Sequence, residues 1–418
     1  MGRHAEVAPS AHNYAVHTTT LWRVDSVENV TIGQRLRQIR RARRKSLRVI
    51  AGLAGIGKST LSQIERGERA LDSRSETVAL ANALQISPSE LVGEPVTAPG
   101  DGRPSVQAMR DALLAATHHR PGGQVLPVEA LRARVTSTVA AHCRCDRDDY
   151  VGAALPALIR DLHSSIAAGR DVAELLDLAV LLHTEATLGW LRVAGAPLDL
   201  RSQAVLLARE VAHERGTPTA VGLAVWGGVH VLVTAGALDL AQDELDAMSV
   251  PTSSSESMQL AGMLSMCKSL VAAADKRSGD VNAPLDYAAE LAERTGEGNA
   301  FWMGFGPTNV GCWRLHVALE GGDHERAIAV AENLHPEVHP HRGSQALYWV
   351  DYGRALAKVR SRRDEAALAL RRAERISPPY LHRDPLAREA LGVLVARSKQ
   401  DAVARELRGM AYRVGLPV

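Results

Sequence analysis

An all-α protein is expected from three features of this 418-residue sequence. Small apolar residues, chiefly Ala, Leu and Val, supply most of its 46% hydrophobic content, while aromatics make up only 4%. That mixture suits close-packed helices better than aromatic and β-branched sheets. Apolar residues recur at helical spacing in segments of about 12 to 22 residues, and strand alternation is nearly absent. A chain this long can bury more than one core, so two or three domains are expected. Lys and Arg (49) nearly balance Asp and Glu (47), leaving +2 overall. A uniformly basic nucleic-acid coat is therefore excluded, and any charged surface must be local.

Taken in order, residues 1–30 lack an apolar leader and read as a flexible arm. Residues 31–93 form a basic head. From Thr31 to Glu94 there are twelve Lys/Arg against six Asp/Glu, a net of +6, whereas the arm is −1 and the remainder −3. Eight of those cations (Arg35, Arg37, Arg40, Arg41, Arg43, Arg44, Lys45 and Arg48) fall in fourteen residues with no acid among them. Within the head, Ile32, Leu36 and Ile39 mark a first helix, and Ser46 caps a second carrying Val49, Ile50, Ala51 and Leu53. Gly55 sits at a sharp turn, and a third helix from about Gly57 to Glu65 buries Leu61 and Ile64 and stops at Gly67. Thr77, Leu80, Ala81 and Leu84 line a fourth, and Ser87-Pro88 starts a short fifth ending at Leu91-Val92.

Two motifs overlap in this head. Gly52, Gly57, Lys58 and Ser59 satisfy the phosphate-binding pattern G-x-x-x-x-G-K-[ST], which would make the chain a P-loop signalling ATPase. A working P-loop needs a buried strand before the glycines and a later strand ending in a magnesium-holding Asp. Neither context is present, so the match is read as coincidence. The second motif uses more residues: Ala51-x-x-x-Gly55-Ile, Leu61-Ser-Gln-Ile-Glu-Arg-Gly67, and Leu80-Ala-Asn-Ala-Leu-Gln-Ile-Ser-Pro-Ser-Glu-Leu91 all agree in one register. This head resembles the Cro/lambda-repressor (XRE) helix-turn-helix family, with a five-helix lambda-repressor-like domain.

The resemblance implies that the start of the third helix enters the major groove of a double-stranded DNA operator. It makes Lys58, Ser59 and Gln63 base readers flanked by Thr60, with Gly57 where a polar reader often stands. Lys suits guanine and Gln suits adenine. Ser46 and Arg66 match phosphate-contacting positions, with Arg43, Arg44 and Arg69 added, and Arg40 and Glu65 match a pair bridging the first and third helices. Three departures stand out: Leu47 replaces a common Gln, Arg44-Lys45 replaces a glycine turn, and Ala70-Leu71-Asp72 lacks a common Pro in a loop one residue longer.

Residues 94–104, rich in Pro and Gly, read as a linker. Residues 105–418 form the body, its helices separated by breakers such as Ala194-Gly-Ala-Pro197, Arg215-Gly-Thr-Pro218, Gly321-Gly-Asp323 and Ser377-Pro-Pro379. Trp190 and Trp226, like Trp313 and Trp349, lie 36 residues apart, and Asp323 and Asp364 open similar segments 41 apart. Ala366, Leu370, Ala373 and Pro378 follow the spacing of a tetratricopeptide second helix, so the body resembles a tetratricopeptide-like α-solenoid of five or six degenerate helix pairs. Stacking such pairs curves the array into a groove. Trp302, Phe305, Asn309, Trp313 and Trp349 are the candidate ligand-binding residues, the first three from the aromatic, glycine-rich stretch Phe301–Val310. Core filling is the alternative for each of them.

No cofactor and no metal is expected: His142, Cys143 and Cys145 are too cramped to chelate zinc without a second pair nearby. His335, His339 and His341 read as a solvated turn, and Cys267 and Cys312 as core. No nucleophile-base arrangement points to an enzyme. With four cysteines and no run of eighteen uncharged apolar residues, a cytoplasmic protein without membrane association is expected. The expected function is a bacterial transcription regulator, a homodimer whose body senses a peptide, small ligand or protein partner. A protein-interaction scaffold with a DNA-binding head is the alternative.

Overall fold

The computed structural model describes residues 30–93, 103–145, 148–398 and 400–416, and all regular structure in them is helical. The arm, apart from Val30, and linker residues 94–102 lie outside the described residues. Residues 103 and 104, assigned to the linker from sequence, already belong to a helix.

The head has the five expected helices: α1 (Ile32–Ala42), α2 (Leu47–Ala54), α3 (Lys58–Glu65), α4 (Arg74–Leu84) and α5 (Pro88–Val92). Side-chain oxygens of Thr31, Ser46, Ser73 and Ser87 each accept a backbone N–H in the first turn of their helix, satisfying donors that the helix itself leaves free. Gly55 ends α2 at φ 68°, a conformation glycine adopts without strain. Gly33 lets α1 cross α3, since a Cβ there would stand 2.0 Å from the Ile64 carbonyl oxygen.

The body begins with α6 (Arg103–Thr117), α7 (Val128–Arg144), α8 (Asp148–Ala167), α9 (Val172–Leu181), α10 (Leu188–Val193) and α11 (Leu198–Arg215). A π-helical stretch, Leu182–Thr187, joins α9 to α10. Five stacked pairs follow: α12 (Pro218–Ala235) with α13 (Leu238–Ala247), α14 (Ser255–Ala274) with α15 (Asn282–Thr295), α16 (Pro307–Glu320) with α17 (His324–Ala331), and α18 (Arg342–Ala357) with α19 (Arg363–Ile376). After the short α20 (Pro378–His382), α21 (Pro385–Ala396) pairs with α22 (Ala402–Arg413). The first helices of successive pairs pack on one another, so each covers its neighbour's apolar face.

This row curls back on itself. α7 packs on α18, Arg383 donates to the Ala194 carbonyl at 2.8 Å, and the Arg192 guanidinium lies 4.8 Å from the centre of the Tyr380 ring. Helices α7 and α10, early in the body, therefore meet α18 and α20, late in it, and close a ring. α12 is long and apolar enough to cross a membrane by length and composition, which the sequence reading did not anticipate, and 56% of that window is buried inside the array. Its apolarity follows from its place between α11 and α14.

The head is docked on this ring by residues far apart in sequence. Leu386 of α21 joins the head core, and Val78 of α4 joins the body core. Body cations reach head carbonyls: Lys276 to Ala54 at 3.1 Å, Lys358 to Ala70 at 2.8 Å, and Arg397 to Glu68.

Candidate nucleic-acid interface

Three of the four base-reading candidates line one exposed surface. Lys58 and Ser59 open α3 and Gln63 lies one turn on; all three side chains are exposed, and Thr60 is half-buried. Leu61 and Ile64, on the opposite side, are fully buried, which fixes the rotation of the helix. Beneath it Arg40 holds Glu65 through two hydrogen bonds of 2.5 and 2.7 Å and donates to the Lys45 carbonyl at 2.9 Å. This buried pair ties α1 to α3, as the resemblance implied, and leaves α3 rigid. Gly57 caps α3 without a side-chain bond, so the free N–H groups of that end face outward beside Lys58.

The phosphate candidates divide into two groups. Arg43 and Arg44 are exposed beside Arg41, Lys45 and Arg48, forming a surface of one sign at the end of α1 and start of α2. Arg43 makes one bond, to the Gln85 carbonyl at 3.2 Å. Arg44 has φ 51°, so an arginine takes a left-handed turn that glycine would adopt without strain. The Ser46 hydroxyl accepts from the Val49 N–H and can still donate to a phosphate oxygen. By contrast Arg66 is held by Glu68 at 2.6 Å and Arg69 by Glu76 at 2.9 Å, so each arrives with its charge already partnered.

The phosphate-loop geometry is absent. Gly52 lies inside α2, and the segment before Lys58 is helix and not strand. Backbone N–H groups within a helix are committed to its own carbonyls and cannot cradle phosphates.

The proposed ligand residues divide between the two body cores, Trp302, Phe305 and Trp313 on one and Trp349 on the other. Phe305 is fully buried against Gly262, and Asn309 is buried, its amide reaching the Met303 carbonyl at 3.5 Å. Trp302 packs half-buried on the same core, with Phe301 and Trp302 both at positive φ. Trp349 lies in the other body core under the Arg372 guanidinium, 4.1 Å from its ring centre. Trp313 is half-buried between two imidazoles, with ring centres 5.7 Å from His230 and 6.1 Å from His316. His339 and His341, read as a solvated turn, are buried, and burial lowers both to about 4.

Sequence reasoning missed the anchor between head and body. Asp72, in the lengthened loop, is fully buried and meets Lys358 at 2.6 Å. Arg354, 1% exposed, donates to Asp351 at 2.9 Å, to Glu320 at 3.0 Å and to the Asp72 carbonyl. Glu320 also accepts the Arg74 N–H at 3.0 Å, and His316 meets Asp351 at 2.7 Å. His316, Glu320 and Asp351 place ligand atoms within 4.8 Å of one another, but Arg354 occupies both carboxylates, so the cluster is an ion-pair network. The available signal was Arg354 with Asp351, an oppositely charged pair three residues apart inside the mostly apolar buried face of α18.

No curated protein and no solved structure matches this chain. Residues 31–92 match the family described as Helix-turn-helix domain, and the head is such a domain.

Proposed function

We propose that this protein is a sequence-specific DNA-binding transcription regulator, with no enzymatic activity, whose helical body controls the presentation of a Cro/lambda-repressor-type head. The exposed N-terminal turn of α3, flanked by a surface of unopposed arginines, carries this reading. The arginines neutralise phosphates and fix register, while Lys58, Ser59 and Gln63 read base edges. One head spans only a few base pairs, so useful specificity calls for a homodimer on half-sites roughly 34 Å apart. The stacked helix pairs support a tetratricopeptide-like body that dimerises and answers to an effector. The expected setting is a bacterial cytoplasm.

Selection of bound sites from random duplex DNA by the full chain, followed by gel-shift titration, tests the reading. Lys58→Ala is expected to cost on the order of 1–3 kcal/mol on the selected site and little on random DNA. Arg43→Ala is expected to weaken both alike and to reduce the salt slope by about one. Equal losses on both DNAs for Lys58→Ala would remove it from the base readers. Absence of any selected sequence would favour a scaffold, and a shift that requires ATP would restore the nucleotide reading.

A further inference from the structure

We propose that the inner face of the closed ring binds a small organic anion, a phosphate or carboxylate joined to a flat apolar group, gripped by Arg192 and Arg201 of the body and Arg74 of the head. One wall is aromatic. Trp226 and His230 stand a turn apart on α12 with ring centres 6.1 Å apart, His230 lies 5.7 Å from Trp313 of α16, and Trp313 lies 6.1 Å from His316. All four are half-buried, although they lie on the first helices whose other faces fill the core.

The cations come from three elements. Arg192 lies in the last turn of α10, Arg201 in the first turn of α11, and Arg74 opens α4. Their charges act on one another at Arg201, and all three act on His230 together with His316. No acid is among the groups acting on either residue. Arg201 has no salt bridge among the described residues, and its buried Nε, like the buried Nε1 of Trp226, has no hydrogen-bond partner in the protein. The carboxylates that reach this wall are already engaged, Glu320 by Arg354 and, at 3.4 Å, by Arg74 itself, and Asp351 by Arg354 and His316.

Arg74 already shares Glu320, and Arg192 lies over the Tyr380 ring, which leaves Arg201 as the cation without an acid partner among the described residues. Such a charge destabilises a fold unless something compensates it. Both unpartnered atoms are donors, so the complement is rich in acceptors. A guanidinium fork matches phosphate or carboxylate, and the indole faces suit a flat apolar group. Burial and the neighbouring arginines already push Arg201 down to about 10, a cost that an anion would reverse. Because Arg74 belongs to the head, a bound anion joins head to body, and under the regulator reading it becomes the effector.

Calorimetric titration of the full chain, without DNA, tests the site. The probes are phenyl phosphate, inorganic phosphate and benzylamine. Phenyl phosphate is expected to bind saturably, inorganic phosphate about tenfold more weakly, and benzylamine not at all. Arg201→Gln is expected to lower phenyl phosphate affinity at least about tenfold while raising the melting temperature of the free protein, because it removes a charge repelled by its neighbours. Arg201→Lys keeps the charge without the fork and gives an intermediate loss should the Gln variant fold poorly. No saturable binding, or affinity unchanged in both variants, overturns the proposal. Since no DNA is present, failure of the regulator reading leaves this result standing, and the reverse also holds.

Discussion

Replacing Arg354 with methionine is expected to destabilise the protein by about 3–5 kcal/mol and to release the head from the body. The side chain is 1% exposed and serves three acceptors at once: Asp351, Glu320 and the Asp72 carbonyl. Methionine fills much of the volume but leaves two buried carboxylates facing each other without their shared cation. The Glu320 carboxyl shows the size of the effect. Burial alone would push it up, yet Arg354, Arg74 and His316 outweigh burial and hold it at about 2. In the native protein a depressed pKa contributes stability above the ordinary carboxylate range and loses it as pH falls toward 2. Without Arg354 the balance reverses: Glu320 becomes a carboxyl raised by burial, and the variant recovers stability as pH falls. Urea unfolding at pH 4.5 and 7 checks the sign, and hydrogen exchange of the Asp72–Thr77 amides reports head release. Adding Glu320→Gln to Arg354→Met is expected to restore part of the loss. A variant as stable as the parent at neutral pH, with unchanged exchange, would mean that the network does not hold the head.

What was legible in the sequence follows from the range of the forces involved. All five head helices could be placed because their boundaries are local: Ser46 and Ser87 cap, Gly55 turns and Pro88 starts a helix, each within four residues of its effect. The body breakers were equally readable, since α10 ends at Val193 before Gly195 and Pro197, and α12 starts at Pro218 after Gly216. The π-helical stretch at 182–187 was not, because no breaker marks it. Closure of the ring and docking of the head depend on pairs such as Ile32 with Glu389, 357 positions apart, and single charged residues of this kind look like ordinary surface. Net charge would even have misled. A +6 head on a −3 remainder invites a picture of basic head on acidic body, yet the body supplies cations at the interface and the head supplies Asp72 and carbonyl oxygens. The aromatic stretch misled for a related reason: in a chain with two phenylalanines, Phe305 is worth more as core than as ligand contact.

Glu389→Gln is expected to stabilise the docked protein on the alkaline side of neutrality by on the order of 3 kcal/mol, with no gain below about pH 4.5. Glu389 lies on α21, is 7% exposed, and accepts the Ile32 N–H of the head at 3.2 Å. Burial pushes its carboxyl up to about 7, with the nearby Asp72 adding to the rise, while the head N–H groups and Lys358 oppose it. A carboxyl raised on folding behaves oppositely to Glu320. Between pH 4.5 and 7 the folded chain holds a proton that the unfolded chain has lost, so stability falls as pH rises through that window. Glutamine keeps the acceptor for Ile32 and cannot ionise, so it removes this slope. Other groups titrate across the same range: burial lowers His142 and His163 to about 4 and His230 to about 3, and each contributes stability that disappears as pH falls below the ordinary histidine range. These imidazoles are common to parent and variant, so the difference between two urea-unfolding series at pH 4.5, 6, 7 and 8 isolates the carboxyl. A difference that grows through pH 7 and then levels off identifies Glu389 as the group whose ionisation loosens the head, whereas a constant difference would show that its proton is not lost in this range. Because the Ile32 N–H it accepts opens the first helix of the DNA-binding head, the same titration is expected in the exchange rate of that amide, with parent and variant converging in acid.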